Sequence, residues 1–327
     1  MRAVIVESYA SIDDIKIGDF PRPELKPGHV LIAVKAAGVG YVDALGALGR
    51  YQVKQTPPFV PGGEYAGVIA EVGEGVTGLK PGDRVMAGSF AGAYGEVALS
   101  HAAAVLPMPD AMDFITAAAF RTNYATAIHA LKDRAAIQPG ETLLVLGAAG
   151  GTGMAAIQIG KILGARVIAA ASTEEKRQAA RAIGADETVD YTDSNWREAL
   201  KTLTGGKGVD VTFDPVGGAA MEPAFRSLAW KGRHLVIGFA GGPIPALPIN
   251  LALLKGASLV GVDIARFGNL HEPAKARANV AQLLTWYAEG RLAPPAPQVL
   301  PLSAARDALA AVIDRRAIGK IVLTLEA

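Results

Sequence analysis

The feature that most constrains the fold is an alternation of two sequence patterns between about residue 140 and residue 262. Short apolar runs such as TLLVLG and VDVTFDPV alternate with longer segments such as MAAIQIGKILG, whose apolar residues recur every three or four positions. The short runs predict buried strands, and the longer segments predict helices. Regular alternation of the two predicts an α/β fold whose six strands form a parallel, doubly wound sheet with helices on both faces.

The remainder of the chain follows a different pattern. From Met1 to about Asp110, β-prone runs are separated by proline and glycine turns such as PRPELKPG, which predicts a mostly antiparallel β-rich domain. After Val262 the pattern predicts two more helices and a closing strand, GKIVLTL. We therefore expect an α/β domain, residues 123–260, inserted into a β-rich domain formed by residues 1–122 and 261–327.

Composition excludes several classes of function. The 32 Lys and Arg residues nearly cancel the 31 Asp and Glu residues, so no strong field would attract nucleic acid or an anionic membrane. The chain has no cysteine, which removes disulfides, thiolate metal sites and a cysteine nucleophile. Two uncharged stretches, 142–160 and 235–254, contain glycines or prolines that disfavour a membrane-spanning helix. With no secretory signal visible, we expect a cytoplasmic protein without nucleic-acid or membrane partners.

A glycine-rich turn joins the first predicted strand of the α/β domain to the following helix. Its glycines follow the spacing G-x-x-G-x-x-G. Such glycines let the backbone approach a pyrophosphate closely, and the free amides at the helix start favour an anion. The turn therefore predicts a dinucleotide site, although a tight turn that needs glycine for its backbone alone is the alternative. The candidate contacts are Gly147, Ala149, Gly150, Gly151, Thr152 and Gly153.

The residue about 20 positions beyond the glycines indicates which dinucleotide is bound. NAD sites usually have Asp or Glu there, whereas this chain has Ser172, followed one turn later by Lys176. A hydroxyl and a cation would accept the 2′-phosphate that a carboxylate would repel, so the sequence predicts NADPH. The alternatives are helix capping by Ser172, in a capping box with Glu175, and a solvated helix face for Lys176.

Several segments, in order along the chain, resemble the medium-chain dehydrogenase/reductase superfamily, and most closely its zinc-free NADPH:quinone oxidoreductase branch. AAGVGYVD, PGGEYAGV and GDRV resemble its GroES-like catalytic domain, and GAAGGTGMAAIQIG and DVTFDPVGG resemble its Rossmann domain. The resemblance covers essentially the whole chain. It implies an active site in the cleft between the two domains and a homodimer in which the edge strands, Ser258 to Val262, pair with each other.

The resemblance also concerns metal chemistry. Zinc alcohol dehydrogenases of the superfamily have a Cys at the position of Gly40 and a His at the position of Gly63, so we expect no metal site. Without a Lewis acid, alcohol oxidation is disfavoured. We expect instead hydride transfer from NADPH to a quinone or to the β-carbon of an α,β-unsaturated carbonyl. Quinone oxidoreductases have Asn at position 40, so the chain also departs from that branch at a residue that affects the substrate pocket.

The first domain offers three candidate catalytic residues. Asp43 and Tyr51 have a spacing that resembles enoyl thioester reductases, in which the tyrosine is taken as the proton donor. A phenol, with a pKa of about 10, is protonated at neutral pH as such a donor must be. Tyr41 is a second candidate donor. Asp43 has a structural alternative, binding turn amides or a nearby cation, and Tyr51 has one as a pocket-lining aromatic.

Further cofactor contacts are implied by the resemblance and by the rule that ligands bind beyond the carboxyl ends of parallel strands. For these contacts the competing interpretations are helix capping, core packing and a solvated basic turn. His129, in contrast, is expected to be a packing histidine with its hydrogen bonds satisfied. The implied contacts are Asn123, Thr126, Tyr191, Gly238, Phe239 and Arg316.

Two other functions fit the sequence. The spacing of Asp43 and Tyr51 also fits a reductase of enoyl thioesters such as short-chain enoyl-CoA. A non-catalytic NADPH-binding protein, structural or RNA-associated, is the second alternative, although the near-zero net charge argues against RNA.

Overall fold

The structure is a computed structural model that describes residues 1–325. It divides into two compact units. One unit, here termed the β-rich unit, consists of Met1–Thr122 and Ala296–Ala327, and the other, the α/β unit, consists of Asn123–Pro295.

The β-rich unit begins with short strands joined by turns. Its N-terminal part contains β1 (Arg2–Ile5), β2 (Lys16–Asp19), β3 (His29–Val39), α1 (Tyr41–Ala47), β4 (Glu64–Val72), β5 (Arg84–Gly88), β6 (Val97–His101) and β7 (Val105–Pro107). Helix α2 (Phe114–Ile128) then leads into the α/β unit.

The α/β unit is built around a six-stranded parallel sheet. Its elements are β8 (Thr142–Leu146), α3 (Gly151–Ile162), β9 (Arg166–Ala170), α4 (Glu174–Ala182), β10 (Glu187–Val189), α5 (Trp196–Leu203), β11 (Val209–Asp214), α6 (Met221–Arg226), β12 (Leu228–Val236), α7 (Asn250–Lys255), β13 (Ser258–Gly261), α8 (Ile264–Arg266) and α9 (Pro273–Ala288). The strand order is β10-β9-β8-β11-β12-β13. The order reverses between β8 and β11, which is where such sheets bind ligands.

The last segment of the chain completes the β-rich unit. It contains β14 (Gln298–Pro301), α10 (Ala305–Ile313) and β15 (Ile321–Thr324). The seven-stranded sheet runs β14-β15-β3-β4-β5-β7, and β6 also pairs with β3. Its pairs are antiparallel except for β14 with β15. Among residues 1–325, no helix combines the length and apolar character needed to cross a membrane.

The second boundary between the units lies later than the sequence predicts, after Pro295 rather than after residue 260. The reason is packing between segments far apart in sequence. The ring of Phe267 stacks on His129 at 3.7 Å. On α9, Asn279 donates a hydrogen bond to the carboxylate of Asp133. These contacts join residues 261–295 to the α/β unit.

Candidate active site

The glycine turn after β8 leaves the start of helix α3 open. Gly147 has a φ of +57°, and Gly150, which has no side chain to offer as a cap, is the N-cap of α3. A Cβ at Gly153 would lie 2.4 Å from the carbonyl oxygen of Gly147. The first amides of a helix have no partner within the helix, so this turn exposes them where an anion can bind. The geometry fits the pyrophosphate of a dinucleotide.

Helix α2 places a polar side chain against this turn. The hydroxyl of Thr152 donates to Oδ1 of Asn123 at 3.1 Å. A Cβ at Gly151 would lie 2.7 Å from Nδ2 of the same asparagine, so the amide fits closely over the helix start. Asn123 and Thr126 are both buried. The structure thus brings Asn123 to the predicted dinucleotide site, with Thr126 one turn further along α2.

The loops that follow β11 and β12 converge on the same edge of the sheet. A Cβ at Gly147 would lie 2.9 Å from Cγ2 of Val216, in the loop after β11. A Cβ at Gly217, whose φ is +60°, would lie 2.9 Å from Cδ1 of Phe239, in the loop after β12. Gly238 and Phe239 therefore line the same edge as the glycine turn, as their position at a strand end predicts.

The segment after β9 differs from the sequence prediction in one detail. The N-cap of α4 is Thr173, whose hydroxyl accepts a hydrogen bond from the amide of Lys176 at 3.3 Å. The predicted capping box of Ser172 with Glu175 is therefore wrong, because the cap falls one residue later. Ser172 lies in the bend between β9 and α4, and both Ser172 and Lys176 are half-buried.

The neighbouring basic residue is held by carboxylates. Arg177 forms ion pairs with Glu174 at 3.0 Å and with Asp190 at 2.7 Å. Tyr191 follows Asp190 directly, one strand further along the same sheet edge, and is half-buried. Arg316 lies in the β-rich unit after α10, where it is exposed and paired with Asp314 at 3.2 Å.

The β-rich unit contains a compact polar cluster, here termed the Lys320 cluster, formed by Asp43, Glu64, Tyr94 and Lys320. The ammonium of Lys320 lies 2.8 Å from Oε2 of Glu64, and the two side chains are 11% and 5% exposed. Glu64 Oε1 accepts the amide of Thr122 at 2.7 Å. Each carboxylate oxygen of Glu64 thus has a donor.

Asp43 is the second acid of the Lys320 cluster. Its Oδ2 accepts the amide of Gly40 at 2.7 Å and the hydroxyl of Tyr94 at 3.0 Å. Desolvation raises the pKa of the Asp43 carboxyl, while the positive charge of Lys320 acts in the opposite direction. Desolvation and the nearby Asp43 raise the pKa of Tyr94 well above its ordinary value, so this phenol stays protonated and donates.

Gly40 and Gly63 both face this cluster. A Cβ at Gly40 would lie 3.3 Å from Oδ2 of Asp43 and 3.8 Å from Nζ of Lys320. A Cβ at Gly63 would lie 3.3 Å from Oδ1 of Asp43 but 2.8 Å from the backbone oxygen of Ser89. Across residues 1–325, no group of three or more His, Cys, Asp or Glu side chains is arranged to hold a metal ion.

The sequence is similar to known families and proteins along most of its length. A model described as "Alcohol dehydrogenase GroES-like domain" matches residues 26–110, and one described as "Zinc-binding dehydrogenase" matches residues 151–284. Quinone oxidoreductase-like protein 2 of Bos taurus is 40% identical over 308 residues, which is 94% of this chain and 87% of the relative. The chain belongs to the quinone oxidoreductase branch of the medium-chain dehydrogenase/reductase superfamily.

Two further relatives of this branch cover nearly the full chain. The quinone oxidoreductase of Rattus norvegicus is 33% identical over 330 residues, 99% of this chain and 98% of the relative. The solved structure of Escherichia coli quinone oxidoreductase complexed with NADPH superposes with a TM-score of 0.93 at 27% identity and covers 99% of this chain and 100% of that one. The predicted fold, a GroES-like unit with a six-stranded Rossmann sheet, is confirmed.

The three candidate catalytic residues of this quinone oxidoreductase relative lie in or after α1. Tyr41 is the first residue of α1, and Asp43 follows in the same turn. Tyr51 lies in the bend after the helix, and both tyrosines are half-buried. The contacts of Asp43 with the Gly40 amide and the Tyr94 hydroxyl favour its structural interpretation.

Several residues that form buried polar contacts within each unit were not predicted from the sequence. Glu64, Tyr94 and Lys320 come from three distant parts of the chain, and a buried pair in the α/β unit joins Asp214 to His234. The local sequence signal for such a buried ion pair is a single charged residue within an apolar run, as Lys320 is in AIGKIVL. His129 was expected to be a packing histidine and is confirmed as one, because it is buried, stacked and hydrogen-bonded to Asp133.

Proposed function

We propose that the protein is a zinc-independent, NADPH-dependent reductase that transfers hydride to a quinone or to the β-carbon of an α,β-unsaturated carbonyl. The observation that carries the proposal is the open start of α3 at the point where the strand order reverses, with the loops after β11 and β12 packed around it. This arrangement fits a dinucleotide, and the solved structure of Escherichia coli quinone oxidoreductase is a complex with NADPH.

The preference for NADPH is assigned to the segment after β9. A Ser172 hydroxyl and a Lys176 ammonium suit a 2′-phosphate, and neither residue carries the negative charge that would repel it. Thr173 caps α4, so the cap does not require the hydroxyl of Ser172. We assign these two residues to the 2′-phosphate and Tyr191 to the adenosine end.

When bound, NADPH supplies the hydride. The amides of the glycine turn would hold its pyrophosphate, as helix starts hold anions elsewhere. We assign the carboxamide end to Asn123 and Thr126, and the pocket wall beside it to Gly238 and Phe239. Tyr51 is the proposed proton donor to the developing enolate, because a phenol hydroxyl can act as a general acid.

Zinc independence is proposed from two glycines beside the Lys320 cluster and from the cation within it. Glycine stands at both positions, 40 and 63, where the resemblance to zinc alcohol dehydrogenases places a Cys and a His. The cation that balances Glu64 is the ammonium of Lys320, at 2.8 Å. An acceptor that is already activated, such as a quinone or enone, can take hydride without a Lewis acid.

The proposal is tested by steady-state assays of NADPH oxidation with 1,4-naphthoquinone, a simple enone and crotonyl-CoA as separate acceptors. The enzyme is assayed before and after exhaustive chelation. We expect turnover of the quinone or the enone at a rate that chelation does not change. Turnover of crotonyl-CoA alone would favour the enoyl thioester alternative, and NADPH binding without turnover of any acceptor would favour a non-catalytic protein.

We further propose that two copies associate through the edge strand β13. This strand ends the sheet order, and an unpaired strand edge can pair with another copy. Leu259 on β13 is 49% exposed, and Trp230 on β12 is 72% exposed. Helix α7 and the residue before it add further exposed apolar side chains: Ile249, Leu253 and Leu254. Light scattering should give a dimer, and a monomer at micromolar concentration would contradict the proposal.

A further inference from the structure

A buried carboxylate fixes the loop that follows β11. Asp214, the last residue of β11, is 2% exposed. Its Oδ1 accepts the amide of Val216 at 2.8 Å and the amide of Gly217 at 2.7 Å. Two hydrogen bonds donated to one oxygen set the direction in which the chain leaves the strand, so the course of the loop depends on where this carboxylate is held.

The loop has little freedom to move on its other sides. Val216 lies against the turn at Gly147, where a Cβ would approach its Cγ2 to 2.9 Å. A Cβ at Gly241 would approach the backbone oxygen of Val216 to 2.8 Å. A Cβ at Gly217 would approach Cδ1 of Phe239 to 2.9 Å. A shift of the loop would therefore displace the glycine turn or the Gly238–Phe239 segment.

Asp214 is itself held by a histidine on the neighbouring strand. His234 on β12 is 0% exposed, and its Nε2 lies 2.9 Å from Oδ2 of Asp214. The carboxylate oxygen accepts, so the imidazole donates from Nε2. A buried carboxylate that loses its partner is strongly unfavourable and would rearrange to reach water or another donor.

We propose that His234 is a positioning residue for the dinucleotide site, an inference that rests on the proposed function. His234 orients Asp214, and Asp214 holds the amides of Val216 and Gly217 against the glycine turn. The histidine does not itself contact the cofactor in this scheme. Its effect reaches the site through one carboxylate and two backbone hydrogen bonds.

The α/β unit contains a matched control for this pair. His129 lies at the start of the π-helical segment His129–Arg134, and its Nδ1 is 3.0 Å from Oδ2 of Asp133. Both side chains are buried, as in the His234 pair. The two pairs thus share a buried contact between a histidine and an aspartate, but the His129 pair does not lie at the carboxyl end of a strand, and Asp133 also binds Asn279 and Lys275.

The experiment compares His234→Leu with His129→Leu in the full chain. NADPH dissociation constants are measured by isothermal titration calorimetry without an acceptor, and thermal unfolding is measured in parallel. Both variants should unfold at lower temperature. His234→Leu should weaken NADPH binding about 10-fold to 100-fold, because small misplacements in a preorganised site are costly, whereas His129→Leu should change it less than about twofold. His234→Gln, which keeps an amide donor near the position of Nε2, should recover most of the affinity.

Equal NADPH affinity in His234→Leu and the parent would overturn the inference, as would an equal loss in both leucine variants. If His234→Leu does not fold, Asp214→Asn carries the same expectation, since it weakens the same hydrogen bonds at nearly constant volume. A parent protein that does not bind NADPH would overturn the proposed function and this inference together, whereas a parent that binds while the variants are unaffected would overturn the inference alone.

Discussion

Glycine occupies key positions in both units, but for different physical reasons. In the α/β unit, a Cβ at Gly153 would lie 2.4 Å from the backbone oxygen of Gly147, so the turn itself excludes a side chain. In the β-rich unit, a Cβ at Gly40 would meet Oδ2 of Asp43 at 3.3 Å, a contact that a small side-chain movement relieves. The first glycine is required by backbone packing, whereas at the second the nearest atoms belong to side chains.

Gly63 combines the two cases. It stands where the resemblance places a zinc-binding histidine, yet a Cβ there would lie 2.8 Å from the backbone oxygen of Ser89. Restoring a ligand at this position would require the backbone to move. The β-rich unit thus places buried charges, those of the Lys320 cluster, beside these glycines, whereas the α/β unit has an open helix start at its glycine turn.

The largest expected effect follows from removing the cation of the Lys320 cluster. Lys320→Met leaves the buried Glu64 without its ion-pair partner and should lower the free energy of unfolding by about 3 to 5 kcal/mol. Lys80→Met is the control, because Lys80 pairs with Asp83 at 2.6 Å but is 80% exposed. The control should cost less than about 1 kcal/mol in urea unfolding. Equal losses would show that the cluster is not a stabilising centre.

The second prediction concerns the backbone turn. Gly153→Ala should cost about 1 to 3 kcal/mol of stability through overpacking and should also weaken NADPH binding. Gly46→Ala, in helix α1, is the control, because a Cβ built there has no atom of the described residues within 4 Å apart from its chain neighbours and the backbone of its own helix. The free energy of unfolding of that control should rise by up to about 1 kcal/mol, which is the difference in helix propensity between alanine and glycine. Calorimetric unfolding checks both, and tolerance of alanine at 153 would contradict the account of the turn.

The smallest expected effect is at Gly40. Gly40→Asn introduces the residue found in quinone oxidoreductases at the N-cap of α1, where asparagine is favoured over glycine by a few tenths of a kcal/mol. The unfolding temperature should therefore shift little, while the KM for a quinone should change because the amide would enter the proposed substrate pocket. A large loss of stability would mean that Gly40 is required by packing, which would remove its contrast with Gly153.

Local patterns predicted the α/β sheet and its glycine turn because strand, turn and helix signals lie within a few residues of one another. The Lys320 cluster could not be predicted in this way, since Glu64 and Lys320 are 256 positions apart. The second unit boundary was missed for the same reason: the bond from Lys132 to Gln282 spans 150 positions. At α4 the sequence pattern predicted a cap at Ser172, whereas the backbone uses Thr173.

The assignment of the 2′-phosphate site is tested by the affinities of the parent protein and of Lys176→Ala for NADPH and NADH. We expect the parent to bind NADPH more tightly than NADH. The substitution should weaken NADPH binding by about 1.5 to 3 kcal/mol, roughly 10-fold to 150-fold, and leave NADH binding unchanged. Equal affinities of the parent for the two nucleotides would contradict the assignment.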